Sequence, residues 1–156
     1  MRYTIDTVTS MIGASRRGFC PATIAWLLTD SRSLCFPDET LFFALQGKRD
    51  GHEYIRDLYD KGVRNFVVSR LPDRMDDYLE SNFLLVKDTL LALQTLAMAH
   101  RKAFSIPIIG ITGSNGKTIV KEWLYQLLEQ NYVVTRSPKS YNSQIGVPLS
   151  VWLMNR

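Results

Sequence analysis

The sequence is poor in cysteine and has no long apolar run. Two of its 156 residues are cysteines, Cys20 and Cys35, and they lack the spacing of a zinc site or of a disulfide framework. We therefore expect two reduced thiols. The N-terminus has no apolar signal core, and the longest apolar runs have the length of a strand rather than of a membrane helix. These absences favour a cytoplasmic protein that does not bind membranes.

Basic tracts are missing as well. The chain has 19 Lys and Arg against 15 Asp and Glu, a net charge of +4, and the two signs are interspersed. Because there is no Lys/Arg run and no aromatic–basic stripe, we expect no nucleic-acid partner. The excess positive charge is more consistent with the binding of small polyanionic ligands. A hydrophobic content of 46% is ordinary for a globular protein.

The most informative motif is a glycine loop between a strand pattern and a helix pattern. Apolar residues 108–111 predict a buried parallel strand, residues 113–116 read Gly-Ser-Asn-Gly, and apolar residues recur at helical spacing from Val120 onward. Glycines let successive backbone N–H groups point at one spot, and the helix that follows adds unpaired donors and a positive dipole end. The motif predicts an anion-binding cradle.

The residues after the loop specify the anion. Lys117 supplies a mobile positive charge for β- and γ-phosphates, and the Thr118 hydroxyl is placed to ligand a phosphate-bound Mg²⁺. The strict P-loop has a glycine five residues before Gly116, where this chain has Ile111. An ordinary glycine-rich turn is therefore the alternative. Six residues form the predicted ATP site: Gly113, Ser114, Asn115, Gly116, Lys117 and Thr118.

Strand and helix patterns alternate along the first hundred residues. They predict an α/β N-terminal domain over residues 1–104, followed by the start of a second, parallel-sheet domain over residues 105–156. Strands are predicted at 23–28, 41–45, 64–69, 83–86, 106–112 and 132–135. Helices are predicted at 4–13, 53–61, 89–104 and 117–130, and a last one begins near 149. His100 is predicted to lie on a helix surface.

Two polar loops follow predicted strands in the first domain. Ser31 and Arg32 offer a hydroxyl and a guanidinium, which suit a phosphate or a ribose, although Asp-Ser-Arg alone is more often a plain turn. Residues 46–52 contain two glycines and three basic side chains, which would let the backbone approach an anion. A solvated turn explains that loop equally well by spacing alone.

Residues 110–118, Gly-Ile-Thr-Gly-Ser-Asn-Gly-Lys-Thr, with Val-Lys-Glu at 120–122, resemble the ATP loop of the Mur ligases, the ATP-dependent amide ligases of peptidoglycan assembly. The glycine spacing of that family matches, including the departure from the strict P-loop. The segments at 29–32, 41–47 and 50–52 resemble the family's N-terminal domain, which holds the uridine diphosphate end of the substrate. The resemblance implies substrate contacts by Ser31, Arg32, Gly47, Lys48, Asp50, Gly51 and His52.

Residues 142–148 resemble the Asn-Asn-x-Ile-Gly-x-Pro element of the family branch that adds D-alanyl-D-alanine. Asn142 matches the first Asn and implies a further substrate contact, while Ser143 replaces the second. Ile119 also departs from the family, where Thr or Ser is usual. The resemblance implies ATP and Mg²⁺ as cofactors, with UDP-MurNAc-tripeptide and D-alanyl-D-alanine as substrates joined through an acyl phosphate.

The resemblance covers the first domain and about the opening third of the family's central domain. A later Mg²⁺-binding acid, the carbamoylated lysine and the C-terminal domain of the family are not in this sequence. We therefore expect an N-terminal part of a ligase that is inactive alone and self-associates through uncovered apolar faces. Residues 3–6 and 137–142 also resemble the corresponding segments of proteins in which such a ligase is fused to an alanine racemase.

Three alternatives to this ligase stay open. One is a module that binds a uridine nucleotide-sugar without catalysis. Another is the related ligase that adds the third peptide residue. The third is a folate polyglutamylating enzyme, which shares a similar ATP loop but lacks the upstream Asp-Ser-Arg and Asp-Gly-His segments.

Overall fold

The computed structural model describes residues 1–47, 49–138 and 141–155. The chain divides into two compact units, Met1–Leu96 and Ala97–Arg156. Lys48, one of the predicted substrate contacts, lies outside the described residues. Within those residues, no helix is both long and apolar enough to cross a membrane.

The first unit is built on a five-stranded, mostly parallel sheet. Its strands and helices, in chain order, are β1 (Tyr3–Thr4), α1 (Ile5–Ile12), β2 (Ser15–Arg17), β3 (Thr23–Ile24), β4 (Trp26–Leu28), β5 (Thr40–Phe43), α2 (Ile55–Asp60), β6 (Asn65–Val68), β7 (Asn82–Leu85) and the first half of α3 (Thr89–Lys102), which ends in the second unit. The sheet order is β2-β7-β6-β5-β4. Strands β4 to β7 run parallel, and β2 pairs antiparallel with β7. The predicted α/β class is confirmed.

The core of this unit lies along the two central strands. All four residues of β5 and all four of β6 are buried, as expected for parallel strands covered on both faces. Aromatic rings join neighbouring strands: Phe66 stacks on Phe83 with ring centroids 5.1 Å apart, and Phe42 meets Phe66 edge-on at 6.4 Å. This core fixes the strand ends from which the polar loops leave.

Helix boundaries in the first unit follow local capping chemistry. The Thr4 hydroxyl accepts a hydrogen bond from Thr7 N at 3.2 Å, and Gly13 ends α1 in the left-handed conformation with φ +62°. The Asp88 carboxylate accepts hydrogen bonds from Leu90 N and Leu91 N at 2.8 and 3.0 Å at the start of α3. The predicted starts of both helices are confirmed.

One predicted strand divides in two. Residues 23–28 form β3, which pairs with β1 in a separate two-stranded sheet, and β4, which pairs with β5. Ala25 separates them and donates its backbone N–H to Glu39 O at 3.0 Å. The chain therefore changes partner at Ala25, which an apolar run alone does not reveal.

The second unit contains the helices α4 (Lys117–Leu128) and α5 (Gly146–Trp152). The predicted strands at 106–112 and 132–135 are wrong: in the described part of the chain neither segment joins a β-ladder. A strand needs a neighbour for its backbone groups. Ile108, Ile109 and Val133 are exposed instead of buried between strands.

His100 is also placed differently from its prediction as a helix-surface residue. Its side chain is 1% exposed, its Nε2 donates to Met154 O at 3.1 Å, and its ring packs against Phe104 and Trp152. Burial lowers the pKa of the imidazole. Trp152 and Met154 come from far along the chain, so the helix pattern around His100 could not show that this face is buried.

Candidate functional site

The predicted substrate loops meet at one edge of the sheet in the first unit. Ser31 and Arg32 follow β4, residues 46–52 follow β5, and Ser69 and Arg70 follow β6. These three strands are parallel neighbours, so their carboxyl ends lie side by side. Ligands of open parallel sheets bind outside such carboxyl ends. The fold therefore brings both polar loops to an edge that suits a ligand.

Arg32 is held at this edge by Asp30. The Asp30 carboxylate accepts hydrogen bonds from Arg32 N at 3.1 Å, Arg32 Nε at 2.9 Å and Arg32 Nη2 at 2.6 Å. These bonds lower the pKa of Asp30 to about 2. The Arg32 side chain is nevertheless 87% exposed. The guanidinium is thus oriented by its neighbour while it still faces solvent, and Ser31 begins the same short turn, Ser31–Ser33.

Asp50 and His52 form a partly buried hydrogen-bond network that fixes the second loop. Asp50 Oδ1 accepts from His52 N at 3.0 Å and lies 2.6 Å from His52 Nδ1. Ser69 N donates to His52 Nε2 at 3.1 Å. Because a backbone N–H only donates, Nε2 carries no proton, and Nδ1 carries the proton that it donates to Asp50. His52 therefore joins the loop to the end of β6 as a defined tautomer.

The other oxygen of Asp50 pairs with a residue that sequence reasoning missed. Asp50 Oδ2 forms an ion pair with Arg70 Nη2. Hydrogen bonding from His52 N, then from Arg70 and the His52 ring, holds the pKa of Asp50 well below its usual range. Arg70 follows a different strand, so nothing in the spacing of residues 46–52 pointed to it. With both oxygens occupied, Asp50 acts as the anchor of the loop.

The two glycines of this loop differ in what they require. Gly51 N donates to Leu45 O at 2.8 Å, and a Cβ on Gly51 would lie 2.7 to 2.8 Å from backbone atoms of Ala44 and Leu45. Gly47 is exposed, and the nearest atom to its Cβ would be Arg49 O at 3.9 Å. Gly51 is thus needed for the close approach of two backbone segments, while Gly47 borders open space.

Arg49 and Tyr54 extend the cationic surface of the loop. Arg49 Nη1 donates to the Tyr54 hydroxyl at 3.5 Å, a weak bond that raises the pKa of Arg49, while the positive charge of Arg32 acts in the opposite direction. The two guanidinium groups are therefore close enough to repel each other. The basic character of residues 46–52 indicated such a charge, but its proximity to Arg32 depends on the strand order. Paired exposed guanidiniums suit a diphosphate.

The glycine loop in the second unit is an open turn before α4. Residues 112–116 are exposed, and Gly113 and Gly116 have φ of +143° and +76°. The first helical N–H groups have no intrahelical acceptor, and Val120 N is bonded to Gly116 O at 2.9 Å. Across residues 49–138, no described hydrogen bond uses the N–H groups of residues 113–118. These donors are available to an anion.

Lys117 lies over this loop. Its Nζ donates to Gly113 O and to Ser114 O, the second at 3.2 Å. The ammonium group is therefore on the same side as the loop backbone, where a bound phosphate would compete for it. Thr118, also exposed, is the second residue of α4. The structure thus places Lys117 against the loop backbone, and the nucleotide site remains a prediction.

The residues present fit a metal that arrives with a nucleotide. In the part of the chain that the structure describes, no three His, Cys, Asp or Glu side chains cluster to hold an ion. The exposed Thr118 hydroxyl is the group that would contact Mg²⁺, and a single hydroxyl suits an ion that keeps phosphate and water ligands. Exposed amides and an ammonium group complete a donor set that suits the phosphates rather than a free cation.

Asn142 and Ser143 precede α5 and are both exposed. Ser143 Oγ accepts a hydrogen bond from Gly146 N at 2.9 Å, at the first residue of the helix. The serine that departs from the family pattern therefore stabilises the start of α5. Asn142 keeps its side chain in solvent.

Residues 111–156 match the model of the Mur ligase middle domain, the domain that carries the glycine loop just described. This match assigns residues 111–156 to the Mur ligase family, and the relatives described next extend the similarity to nearly the whole chain.

Within that family, its relatives are ligases that act on UDP-N-acetylmuramoyl-tripeptide. The chain is 37% identical over 158 aligned residues to the UDP-N-acetylmuramoyl-tripeptide–D-alanyl-D-alanine ligase of Bacillus subtilis. The alignment covers 99% of this chain and 34% of the relative. The ligase of the same name from Synechocystis is 41% identical over 123 residues, 78% of this chain and 26% of the relative. The chain thus spans about a third of the length of these relatives.

Solved structures show the same relationship. A crystal structure of MurF from Acinetobacter baumannii superposes with a TM-score of 0.89 at 26% identity, over 99% of this chain and 34% of that one. MurF ligase from Thermotoga maritima in complex with ADP gives a TM-score of 0.68 at 31% identity, over 83% and 29% of the two chains. A relative with a bound adenine nucleotide is consistent with the loop geometry.

Proposed function

We propose that the chain is part of an ATP-dependent ligase that joins D-alanyl-D-alanine to UDP-MurNAc-tripeptide. The observation that carries this proposal is the open turn at residues 113–118, with unused N–H donors and Lys117 over it. The match of this segment to the Mur ligase middle domain supports it. Because such a ligase consumes ATP, we also infer a cytoplasmic location.

The reaction proceeds in two balanced steps. A carboxylate oxygen of the tripeptide attacks the γ-phosphorus of ATP, which gives an acyl phosphate and ADP. The amine of D-alanyl-D-alanine then attacks the acyl carbon, and inorganic phosphate and a proton leave as the amide forms. Negative charge builds on the transferring phosphoryl group, so catalysis depends on positioned positive charge.

The residues of this chain contribute to the first step. Lys117 and the loop N–H groups hold the β- and γ-phosphates, and the Thr118 hydroxyl would hold the Mg²⁺ that accompanies them. When bound, the metal neutralises phosphate charge. Lys117 must exchange its bonds to Gly113 O and Ser114 O for bonds to phosphate, so the ammonium group is already near the position where it acts. Asn142 is proposed to contact substrate beside this loop.

The carboxyl edge of the first-unit sheet holds the uridine diphosphate end. Ser31, Arg32 and Arg49 contact the diphosphate, and Gly47 lets the backbone approach it. Asp50, Gly51 and His52 position this loop, because their polar groups are occupied by one another, by Arg70 and by Ser69. In this proposal Arg49 is a further cation for the diphosphate, beyond the residues that the family resemblance implies.

A binding module without catalysis is the second candidate for the chain as it stands. The first unit has a buried core around a five-stranded sheet, whereas the described residues of the second unit form no ladder. The isolated chain is therefore expected to bind the nucleotide-sugar without turning over ATP. The ligase that adds the third peptide residue is disfavoured by the relatives' names and by residues 142–148.

Calorimetry with UDP-MurNAc-tripeptide tests the first unit. The chain should bind it, and Arg32→Gln should weaken binding about tenfold or more, because one charge-assisted contact to phosphate is lost. Arg56→Gln is the matched control, since Arg56 is exposed but pairs with Asp60 on α2. Absence of binding, or equal affinity of the Arg32 variant, would contradict the proposed substrate edge.

Turnover of the full-length ligase tests the loop separately. Lys117→Ala should lower kcat by about 10²- to 10³-fold, as for the loss of other single electrostatic donors. Lys61→Ala is the control, because Lys61 is exposed and pairs with Asp57. Undiminished ATP hydrolysis in the Lys117 variant would refute the nucleotide role, whatever the calorimetry shows.

A further inference from the structure

A second concavity lies at the opposite edge of the same sheet, where the parallel strands begin. It has a volume of about 480 Å³. Its walls include Glu39 before β5, Arg64 before β6 and Asn82 at the start of β7. None of the residues assigned above to the nucleotide-sugar lines it. This amino-edge pocket is therefore separate from the carboxyl-edge site.

The inner wall holds a buried amide whose orientation is determined. Asn82 Oδ1 accepts from Arg16 Nε and Nη2 at 3.1 and 2.8 Å, and Asn82 Nδ2 donates to Cys20 O at 3.0 Å. Because a guanidinium only donates and a carbonyl only accepts, Asn82 has one possible orientation. Asn82 Nδ2 also donates to Asn65 Oδ1 at 2.8 Å, which fixes Asn65 in turn.

This arrangement leaves one donor without an acceptor. Asn65 is 0% exposed, and its Nδ2 has no hydrogen-bond partner among the described residues. Exchanging the two ends of the amide would not help, since it would place NH₂ against NH₂ of Asn82. A buried donor without a partner is destabilising. A bound oxygen atom would relieve it.

The charged residues of the pocket walls indicate which charge the ligand carries. Asp38, Glu39 and Glu80 contribute three carboxylates, and Arg64 is the one cationic residue among the described lining. Glu39 pairs with Arg2, and Arg64 donates to Tyr59 O and Val63 O, so both are engaged elsewhere. Asp38 and Glu80 are exposed and form no ion pair described for residues 1–47 and 49–138. Asp38 and Glu80 therefore give the pocket a negative charge that a ligand can meet.

We propose that the amino-edge pocket binds a small organic cation that carries a carbonyl or hydroxyl oxygen. The oxygen accepts the hydrogen bond of Asn65 Nδ2, and the ammonium group lies between Asp38 and Glu80. The Asn65 nitrogen is buried, so binding includes the movement of a side chain that lines the pocket. Primary amides of amino acids have both groups and are the simplest members of this class.

Three probes of similar size separate the two interactions. L-alaninamide carries an ammonium group and a carbonyl, propionamide carries the carbonyl alone, and isopropylammonium carries the charge alone. Each is titrated into the ¹⁵N-labelled chain while the side-chain amide signals of Asn65 and Asn82 are followed. L-alaninamide should give saturable shifts with an affinity of about millimolar, as expected for so few atoms. Each of the other probes should bind about fivefold more weakly or worse.

Matched variants and a thiol provide independent readouts. Glu80→Gln should weaken L-alaninamide about fivefold, while Glu129→Gln, an exposed position on the second unit, should leave its affinity unchanged. Cys20 lines the pocket and is a free thiol. In a Cys35→Ser background, L-alaninamide should slow the alkylation of Cys20 by iodoacetamide.

Equal, non-saturating shifts with all three probes would overturn the proposal and would mean that water alone meets the Asn65 amide. Saturable binding that Glu80→Gln leaves unchanged would also overturn it, because the assigned ammonium site would then be wrong. Neither outcome bears on the carboxyl-edge site, which has different residues and a different ligand.

Discussion

Charged side chains at the carboxyl edge of the sheet divide into those with paired charges and those that face solvent. Asp50 is bonded to His52 and Arg70, and it determines where the loop after β5 lies. Arg32 and Arg49 are exposed guanidiniums close to each other. A paired group contributes mainly to stability, while an exposed pair of like charges is a feature that a bound anion would stabilise.

Replacement of Asp50 by Asn should destabilise the first unit. The variant keeps the shape of the side chain but loses the charge that holds His52 Nδ1 and Arg70, so we expect a loss of about 1–3 kcal/mol in the free energy of unfolding, measured in urea. Asp57→Asn is the control, because its exposed pair with Lys61 contributes about 0.5 kcal/mol or less. Equal losses in the two variants would show that the network contributes no more than a surface pair.

His100 makes the stability of the second unit depend on pH. Burial lowers its pKa in the folded state below the ordinary value of 6.5, so the unfolded chain binds the proton more readily. The free energy of unfolding is therefore fully retained above pH 6.5 and falls as the pH decreases below it, by at most about 1.4 kcal/mol per pH unit. Unfolding monitored by Trp fluorescence between pH 5 and 8 measures this slope.

His100→Gln is the control for that pH dependence. Its amide N–H can still donate toward Met154 O, but it does not titrate. The difference between the slopes of the parent and the variant isolates His100 from His52 and from the carboxylates. A variant that kept the whole slope of the parent would contradict the assignment.

At the scale of elements, the turn after β5 depends on one glycine. Gly51→Ala places a methyl group 2.7 to 2.8 Å from backbone atoms of Ala44 and Leu45, which cannot rotate away as side chains do. We expect a loss of about 2 kcal/mol or more in stability and a displaced loop, because overpacking forces the backbone to move. Gly47→Ala in the same loop should change stability by about 0.5 kcal/mol or less, since its Cβ meets open space.

Thermal unfolding of the two alanine variants, with calorimetric binding of the nucleotide-sugar, compares them directly. The Gly51 variant should lose both stability and affinity. If both variants unfolded at the temperature of the parent, the close approach at Gly51 would not be a constraint on the loop.

The sequence patterns predicted elements where the signal is local. The apolar run at 41–45 predicted β5, and helical spacing predicted α1 and α3, whose ends are set by capping groups at Thr4, Gly13 and Asp88 only a few residues away. Strand β2 was missed because Ser15–Arg17 is a short polar segment whose role comes from its partner β7. The strand predicted at 108–111 has an apolar run but no neighbour to pair with among the described residues.

The candidate site was predictable to the same extent. Glycines and basic residues indicated the loop at 46–52 and the turn at 113–118, because backbone freedom and charge are visible in a sequence. The roles of Arg70 and Tyr54 were not, since they depend on strand order and side-chain direction. The connection that His52 makes to the end of β6 was hidden for the same reason, because its partner Ser69 follows a different strand.

At the scale of the whole molecule, large apolar side chains are distributed unequally. The first unit buries its Phe residues 42, 43, 66 and 83 almost completely. In the second unit, α4 exposes Ile119, Trp123 and Leu127. Contiguous apolar surface of this kind promotes association in water. The self-association of the chain remains a prediction, and we expect it to occur through the apolar face of α4.

Light scattering coupled to size-exclusion chromatography tests that prediction with a pair of matched variants. Leu127 on α4 and Leu79 in the first unit are 69% and 70% exposed, so Glu at either position introduces the same charge at the same accessibility. Leu127→Glu should raise the concentration needed for association about tenfold, because it places a charge within the apolar face, whereas Leu79→Glu should leave that concentration unchanged. A parent chain that stayed monomeric at high concentration, or equal effects of the two substitutions, would show that association through this helix face does not occur.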